Sequence, residues 1–366
     1  MKLSRILIII IVVVIIGIVA LFAYEALVES TSSSSSSLWL SAAGYPIQVD
    51  GNSGVGGQQC VNSTSYIYCV GGQDLNGGPR SEAYTSSSIS SSSPDITSWS
   101  SDSSPYPQTV NGQSCVTYGG DIYCVGGTID DGGDDTAASY YAPLASDGAA
   151  GPWNQTTSYP VAIDTQYCVA SSSGFIYCIG GNNETDGTNA DSATSNSVWF
   201  AQLSSSGIGN WTQTTPYPAD VYLPSCFAYD NYVYCLGGAD SNNNALNNDY
   251  YAALTPSGVG TWTSTTPYPQ SLTGQACTFS SGDIYCVGGE ISSSSYTNAV
   301  YFAPASPTGI GSWKQGPNYP LSIGTTCAES SGYLYCVGGF NASSAGESNE
   351  TYYASLGSLS TTTSTG

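Results

Sequence analysis

The sequence predicts an all-β fold, a six-bladed β-propeller, on three observations. An aromatic, cysteine and diglycine signature recurs six times, each signature cysteine follows another by nine or ten residues, and the repeat is about fifty residues long. That period suits a propeller blade rather than a helical solenoid. The copies read YIYCVGG ending at Gly72, DIYCVGG at Gly127, FIYCIGG at Gly181, YVYCLGG at Gly238, DIYCVGG at Gly289 and YLYCVGG at Gly339. Each of the first five is followed by Tyr or Phe, a Trp, and a Tyr-Pro six or seven residues after the Trp.

The chain begins with Lys2 and Arg5 ahead of an unbroken apolar run of eighteen residues, 6–23. This length is just enough to cross a bilayer as one helix, so residues 1–29 read as an uncleaved signal anchor. A removed signal peptide, cut after Ala23 or Ala26, is the alternative and would give a secreted protein. Either way the remainder is expected outside the cell, with the Ser-rich stretch 30–37 as a flexible linker.

Within one unit the residues between the paired cysteines are alternating and β-rich around a turn. Between Cys115 and Cys124, Gly119 and Gly120 form the midpoint of a two-residue primed turn. Counting back from it places the two cysteines opposite each other at a non-hydrogen-bonded pair, close enough for a disulfide. The same count holds for Cys226 and Cys235, Cys277 and Cys286, and Cys327 and Cys336. Cys60 and Cys69 share the spacing, whereas Cys168 and Cys178 are one residue further apart and need a three-residue loop over 172–174. One bridge per hairpin follows, each contributing roughly 2 to 3 kcal/mol in the chain-entropy picture. Free or zinc-binding thiols are the competing reading, which neither this spacing nor a chain without histidine suits.

With these residues in place, the chain resembles the kelch-repeat β-propellers, in an extracellular, disulfide-bridged variant. Blades of that family carry a hydrophobic strand into Gly-Gly, a Tyr on the third strand and a Trp on the fourth. The matching positions here are Gly126-Gly127, Tyr140-Tyr141 and Trp153 in one blade, and Gly237-Gly238, Tyr250-Tyr251 and Trp262 in another. The resemblance covers about residues 38 to 356, and it implies the ring fold and an interaction role. The cysteine pair in every blade departs from the usual pattern. Galactose oxidase has a similar propeller but needs histidine copper ligands, so a chain without histidine cannot repeat that copper site.

The last unit runs past Tyr352-Tyr353 into Ser- and Thr-rich sequence without a Trp, so its fourth strand is missing there. Trp39, followed by Tyr45-Pro46 at the same spacing, is expected to supply it. The domain is then 38–356, with a tail over 357–366. Six N-x-S/T sequons, at Asn62, Asn154, Asn183, Asn210, Asn341 and Asn349, agree with an exported chain. A sequence this rich in Asn, Ser and Thr also makes such tripeptides by chance, so only some are expected to carry glycan.

Asp and Glu total 26 against four Lys and Arg, and only Arg80 and Lys314 lie beyond the anchor. Charged residues are 8%, against about a quarter in typical soluble domains. Nucleic acid and anionic lipid are therefore excluded as partners of the exported part, which has almost no positive field to hold them. Sparse charge without histidine suits an acidic exterior, where protonated carboxylates leave little net charge.

For chemistry, the missing histidines remove Ser-His-Asp and Cys-His sites, and the bridges leave no thiol nucleophile. No catalytic residue is nominated. Carboxylate work on a sugar remains open, yet no spacing selects a pair. The loops joining strands two to three follow each diglycine, vary most, and share a face with the loops joining strand four to the next strand one. Among them, Asp130, Asp131, Asp134 and Asp135 flank Gly132-Gly133 and could hold Ca²⁺ through oxygen ligands, a solvated acidic turn being the alternative. No other cofactor is expected. Repeated tyrosines such as Tyr68, Tyr123 and Tyr234 read as packing between blades, leaving the loop residues Tyr222 and Tyr296 as ligand candidates.

Three function classes follow. The first is a membrane-anchored recognition or adhesion module binding a cell-surface protein or glycan through the loop rim. A structural envelope component that self-associates is the second, and a carboxylate-based enzyme acting on glycans is the third.

Overall fold

The computed structural model describes residues 38–49, 52–130, 133–183, 193–293, 295–342 and 346–360. Six sheets of four or five antiparallel strands are arranged around a central channel. The innermost strands are Gln59–Ser63, Ser114–Tyr118, Tyr167–Ala170, Ser225–Tyr229, Ala276–Ser280 and Ile323–Ser330, and each carries the first cysteine of its pair. We number the blades 1 to 6 in that order. Among the described residues no helix is long and apolar enough to cross a membrane, and the apolar run 6–23 lies outside them.

Each inner hairpin forms in the predicted register, with Cys115 opposite Cys124 and Cys226 opposite Cys235. The primed turns are built from left-handed residues, Gly119 and Gly120 at φ 64° and 92°, and Asp230 and Asn231 at φ 48° and 61°. Blade 3 has the longer loop, closed by the Ser171 N–H donating to the Phe175 carbonyl at 2.8 Å. All six bridges are present, at Cα separations of 4.0 to 4.1 Å, and no cysteine is free.

The ring closes through the N-terminal segment: Leu40–Ser41 pairs antiparallel with Tyr353 and Tyr352 as the outer strand of blade 6. Trp39 is buried against Tyr319 there. The packed core also runs beyond residue 356, because Leu359, in the short helix Leu356–Leu359, is fully buried against Trp39 and Phe302.

Blades are held to one another by the residues that repeat. Each Tyr of a Tyr-Pro sits edge-on against the Trp of the following blade, with centroids 4.8 to 5.1 Å apart for Trp39, Trp99, Trp153, Trp211, Trp262 and Trp313. Such pairs add about 0.5–1.5 kcal/mol beyond burial. The second-strand tyrosines reach forward: Tyr123 Oη donates to the Ser204 carbonyl at 2.9 Å, Tyr177 to Thr255 and Tyr234 to Ser306 at 2.7 Å. These are interblade contacts.

The diglycines have a steric reason. The N–H of each second glycine donates to a carbonyl on the connection entering the next blade, as Gly127 does to Ile163 at 2.8 Å. A Cβ on Gly126 would lie 2.4 Å from that same carbonyl oxygen, and one on Gly127 2.4 Å from Val110 Cγ2, so neither position admits a side chain.

Candidate ligand site at the mouth of the channel

The connections from strand four to the next strand one converge around one end of the channel. Gly57, Gly112, Thr165, Leu223 and Gly274 stand at equivalent places and all adopt left-handed backbone, with φ of 66°, 65°, 53°, 49° and 60°. Their backbones join into a belt. Gly112 N–H donates to the Gly57 carbonyl at 3.1 Å, Thr165 to Gly112 and Leu223 to Thr165 at 2.9 Å, and Gly274 to Leu223 at 3.3 Å. Left-handed backbone costs roughly 1–2 kcal/mol at non-glycine residues, so Thr165 and Leu223 are held there by the belt. At the sixth place the pattern changes: Gly324 lies within the long strand Ile323–Ser330, beside a bulge, opposite Phe340.

Behind the belt lies a set of glutamines. Gln58, Gln113, Gln166 and Gln275 are each 3 to 5% exposed. Their Nε2 atoms donate to the carbonyls of Val337, Val70, Val125 and Leu236 on the preceding blade, at 2.7 to 2.9 Å. The first glycine of the preceding diglycine leaves room for this amide, since a Cβ on Gly71 would lie 2.6 Å from Gln113 Nε2. Pro224 and Thr325 occupy the other two places. Among the described residues the Oε1 atoms of Gln113, Gln166 and Gln275 are buried without a hydrogen-bond partner. A buried amide oxygen left so costs about 1–3 kcal/mol unless water or a ligand donates to it.

A cavity of about 180 Å³ opens at this mouth, lined by those glutamines, Pro224, Tyr167, Tyr296, Phe340 and Glu290. Burial, followed by the charge of Glu290, raises the Tyr296 phenol above its ordinary pKa. Burial likewise raises Tyr222, with Glu290 the next contributor. The charge of Glu290 therefore acts on both loop tyrosines nominated from sequence. Tyr296 lines the mouth, while the hydroxyl of Tyr222 donates to Asn243 Oδ1 at 2.9 Å. Deeper in the channel, a space of about 340 Å³ is bounded by all six inner strands. Among the described residues, Glu290 is the one carboxylate lining the mouth and Glu329 the one lining the deeper space.

The variable loops share the mouth's face. Gln73, Thr128, Asn182, Ala239 and Glu290, each just after a diglycine, make bridges to Gly56, Asn111, Asp164, Tyr222 and Thr273 on the inner connections.

Of the acidic quartet, Asp131 lies outside the described residues. Asp130 Oδ1 accepts the Asp134 N–H at 3.0 Å, and Asp135 Oδ1 accepts from the Thr128 hydroxyl at 3.1 Å. Among the described residues no three His, Cys, Asp or Glu converge as metal ligands.

The sequons fall in different settings. Asn154 and Asn210 are exposed beside Trp153 and Trp211 at the outer edges of their blades, whereas Asn183, Asn341 and Asn349 are half-buried. Asn62 lines the deeper channel, and its amide donates to the Glu329 carbonyl of blade 6.

The belt and the glutamines were not nominated from sequence. A signal existed for the glutamines, which stand two residues before the first cysteine in four of six repeats. Their role depends on a carbonyl of another blade, which no local pattern reveals.

No family model matches the chain, and no curated protein does. In fold it resembles 675 solved chains. One, described as "Structure of YjhT", superposes with a TM-score of 0.65 at 12% identity, over 85% of this chain and 95% of that one. At that identity the likeness speaks for architecture alone. The chain is an all-β, disulfide-bridged, six-bladed β-propeller.

Proposed function

We propose that this protein is a kelch-type recognition module of the cell exterior, binding a cell-surface protein or glycan through the loop rim. The observation that carries the reading is the convergence of two loop sets on one open cavity lined by Tyr167, Tyr296 and Phe340. Concave sites with a few placed polar groups are the usual form of ligand pockets. Six disulfides suit an oxidising exterior. The run 6–23 anchors the chain as a single-pass membrane protein, with 30–37 as the stalk and glycans on the exposed sequons.

Two observations weigh against the other classes. A retaining or inverting glycosidase needs two carboxylates facing each other across a sugar, and each channel space here offers one. Nucleic acid finds little positive charge to hold it, since beyond the anchor only Arg80 and Lys314 are basic and Arg80 is already paired with Asp74 and Glu82.

The test is binding of the purified chain to whole-cell envelopes and to a glycan array, with and without a calcium chelator. Saturable binding weakened by Tyr296→Ala supports the rim reading. Loss with chelator and with Asp130→Ala plus Asp134→Ala assigns a calcium-dependent loop. Ordered self-assembly without binding favours the structural-envelope reading.

A further inference from the structure

Blade 4 departs from its neighbours at the entrance to its third strand. In blades 1, 2, 3 and 5 the N–H of the first glycine of the diglycine and the N–H of the Tyr-Pro tyrosine donate to two successive backbone carbonyls just before that strand. Gly126 and Tyr159 use Ala138 and Ala137, at 3.1 and 2.8 Å, and Gly180 and Tyr217 use Ser197 and Asn196, also at 3.1 and 2.8 Å. Gly71 with Tyr106, and Gly288 with Tyr319, repeat the pattern. In blade 4 one side chain takes both bonds: Asp249 Oδ1 accepts from the Gly237 N–H at 3.0 Å and Oδ2 from the Tyr268 N–H at 2.6 Å. The two residues it replaces, Asn247 and Asn248, are exposed, whereas Ala137, Ala138, Asn196 and Ser197 at the same places are half-buried. Asp249 itself is only 3% exposed.

We infer that Asp249 is a pH-operated latch on the loop 239–248 of the mouth face: ionised, it holds the N–H pair and the loop stands out; protonated, it yields the pair to the carbonyls of Asn248 and Asn247 and the loop draws in. A carboxylate accepts on both oxygens, whereas the acid turns one of them into a hydroxyl donor and serves two N–H groups poorly. The arrangement to which it yields is the one adopted in four other blades. No change of chain length is needed, because Thr136 and Leu246, both bonded to a second glycine, stand equally far before Ser139 and Asp249. Nor is space lacking for the protonated side chain, since Val198 and Val300, of about the same size, are fully buried at that place in blades 3 and 5. Burial pushes the Asp249 carboxyl up to about 7, against the pull of the two N–H groups, so the exchange falls near neutral pH. The titratable groups facing it are Tyr217, on the connection into blade 4, and Tyr268, on the connection out of it, packed in turn on Tyr250 and Tyr301. Burial holds the Tyr217 and Tyr268 phenols well above their ordinary value, so both stay neutral through that range. Movement of the loop carries Asn243, whose Oδ1 accepts from the Tyr222 hydroxyl at 2.9 Å, and so reaches the rim.

Hydrogen exchange of the purified full chain, read by mass spectrometry from pH 5 to 9 and corrected for the intrinsic pH dependence of amide exchange, is the test. Expected is protection of the 239–248 amides that is greater in acid by at least about threefold, with one midpoint near 7, since one proton changes the ratio of two states by at most about tenfold per pH unit. Residues 136–139 of blade 2, which use the backbone pattern, should stay level. Asp249→Asn, which cannot ionise, should keep the acid level of protection throughout, and so should Asp249→Ser, which copies Ser139. A level profile in the wild-type chain, greater protection at alkaline pH, or a transition retained by either variant overturns the inference. If both variants unfold, the wild-type profile against the blade 2 control decides it.

Discussion

The backbone N–H of Gly339, in the last blade, donates to the carbonyl of Val55, on the connection into the first, at 2.7 Å. The five other second glycines repeat this bond between consecutive blades, at 2.8 to 2.9 Å. A Cβ at any of these glycines would crowd the connection into its own blade, 2.2 to 3.0 Å from the nearest atom there. Gly127→Ala is therefore expected to cost more than ~2 kcal/mol through clash and left-handed strain. Gly119→Asn is its control, because nothing stands within 4 Å of a Cβ there and Asn tolerates that backbone. Urea midpoints of the two variants make the comparison, and equal midpoints would contradict the steric account.

Each disulfide packs against the preceding blade as well as closing its hairpin. Cys226 and Cys235 share a core cluster with Val169, Tyr177 and Phe200 of blade 3. Cys226→Ala with Cys235→Ala should therefore lose the roughly 2 to 3 kcal/mol of loop closure and a packing contribution besides. Peptide mapping without reduction should recover six bridges, each internal to one hairpin, and a bridge between hairpins would refute the pairing.

Stability should be greater in acid than at neutral pH. Burial pushes the Asp249 carboxyl up to about 7, against the opposing pull of the Gly237 and Tyr268 N–H groups it accepts at 3.0 and 2.6 Å. Burial also raises Asp121 and Glu347. With the folded pKa above the unfolded value of about 3.9, the folded chain holds the extra proton between those limits. The contribution is thus fully present below about pH 4 and is lost as pH rises through about 7. Chemical denaturation at pH 4, 6 and 8 measures it, and Asp249→Asn should flatten the profile in that window. A maximum at pH 8 would rule the account out.

Glycan should be found at Asn154 and Asn210, whose side chains are exposed, and not at Asn62. The Asn62 amide is used across the joint between blades 1 and 6, within the channel. Site occupancy by mass spectrometry of the protein from its source decides this, and a modified Asn62 would mean that the joint opens.

The parts of this fold that were legible in sequence are those set by short-range geometry. A primed turn and an alternating strand pair fix where Cys115 meets Cys124 with no reference to the rest of the chain. Tyr123 and Tyr234 could be assigned to blade packing because their positions repeat. The mouth was not legible, since its features are relations between blades. Thr165 and Leu223 are poor residues for left-handed backbone, and only the belt on either side of them explains it. Of the two loop tyrosines nominated together, Tyr296 lines the cavity while Tyr222 bonds to Asn243, a distinction made by the loops around them.

Closure by the segment at Trp39 has a consequence for biogenesis. The bridges join cysteines nine or ten residues apart, so each can form as soon as its own hairpin has been exported. The outer strand of blade 6 cannot follow that order. Trp39 Nε1 donates to the Pro317 carbonyl, 278 positions later, so the first strand made must wait for nearly the last. A nascent chain would hold five oxidised, stacked blades beside an unpaired N-terminal strand, and the final step of assembly is one of recapture rather than of folding anew.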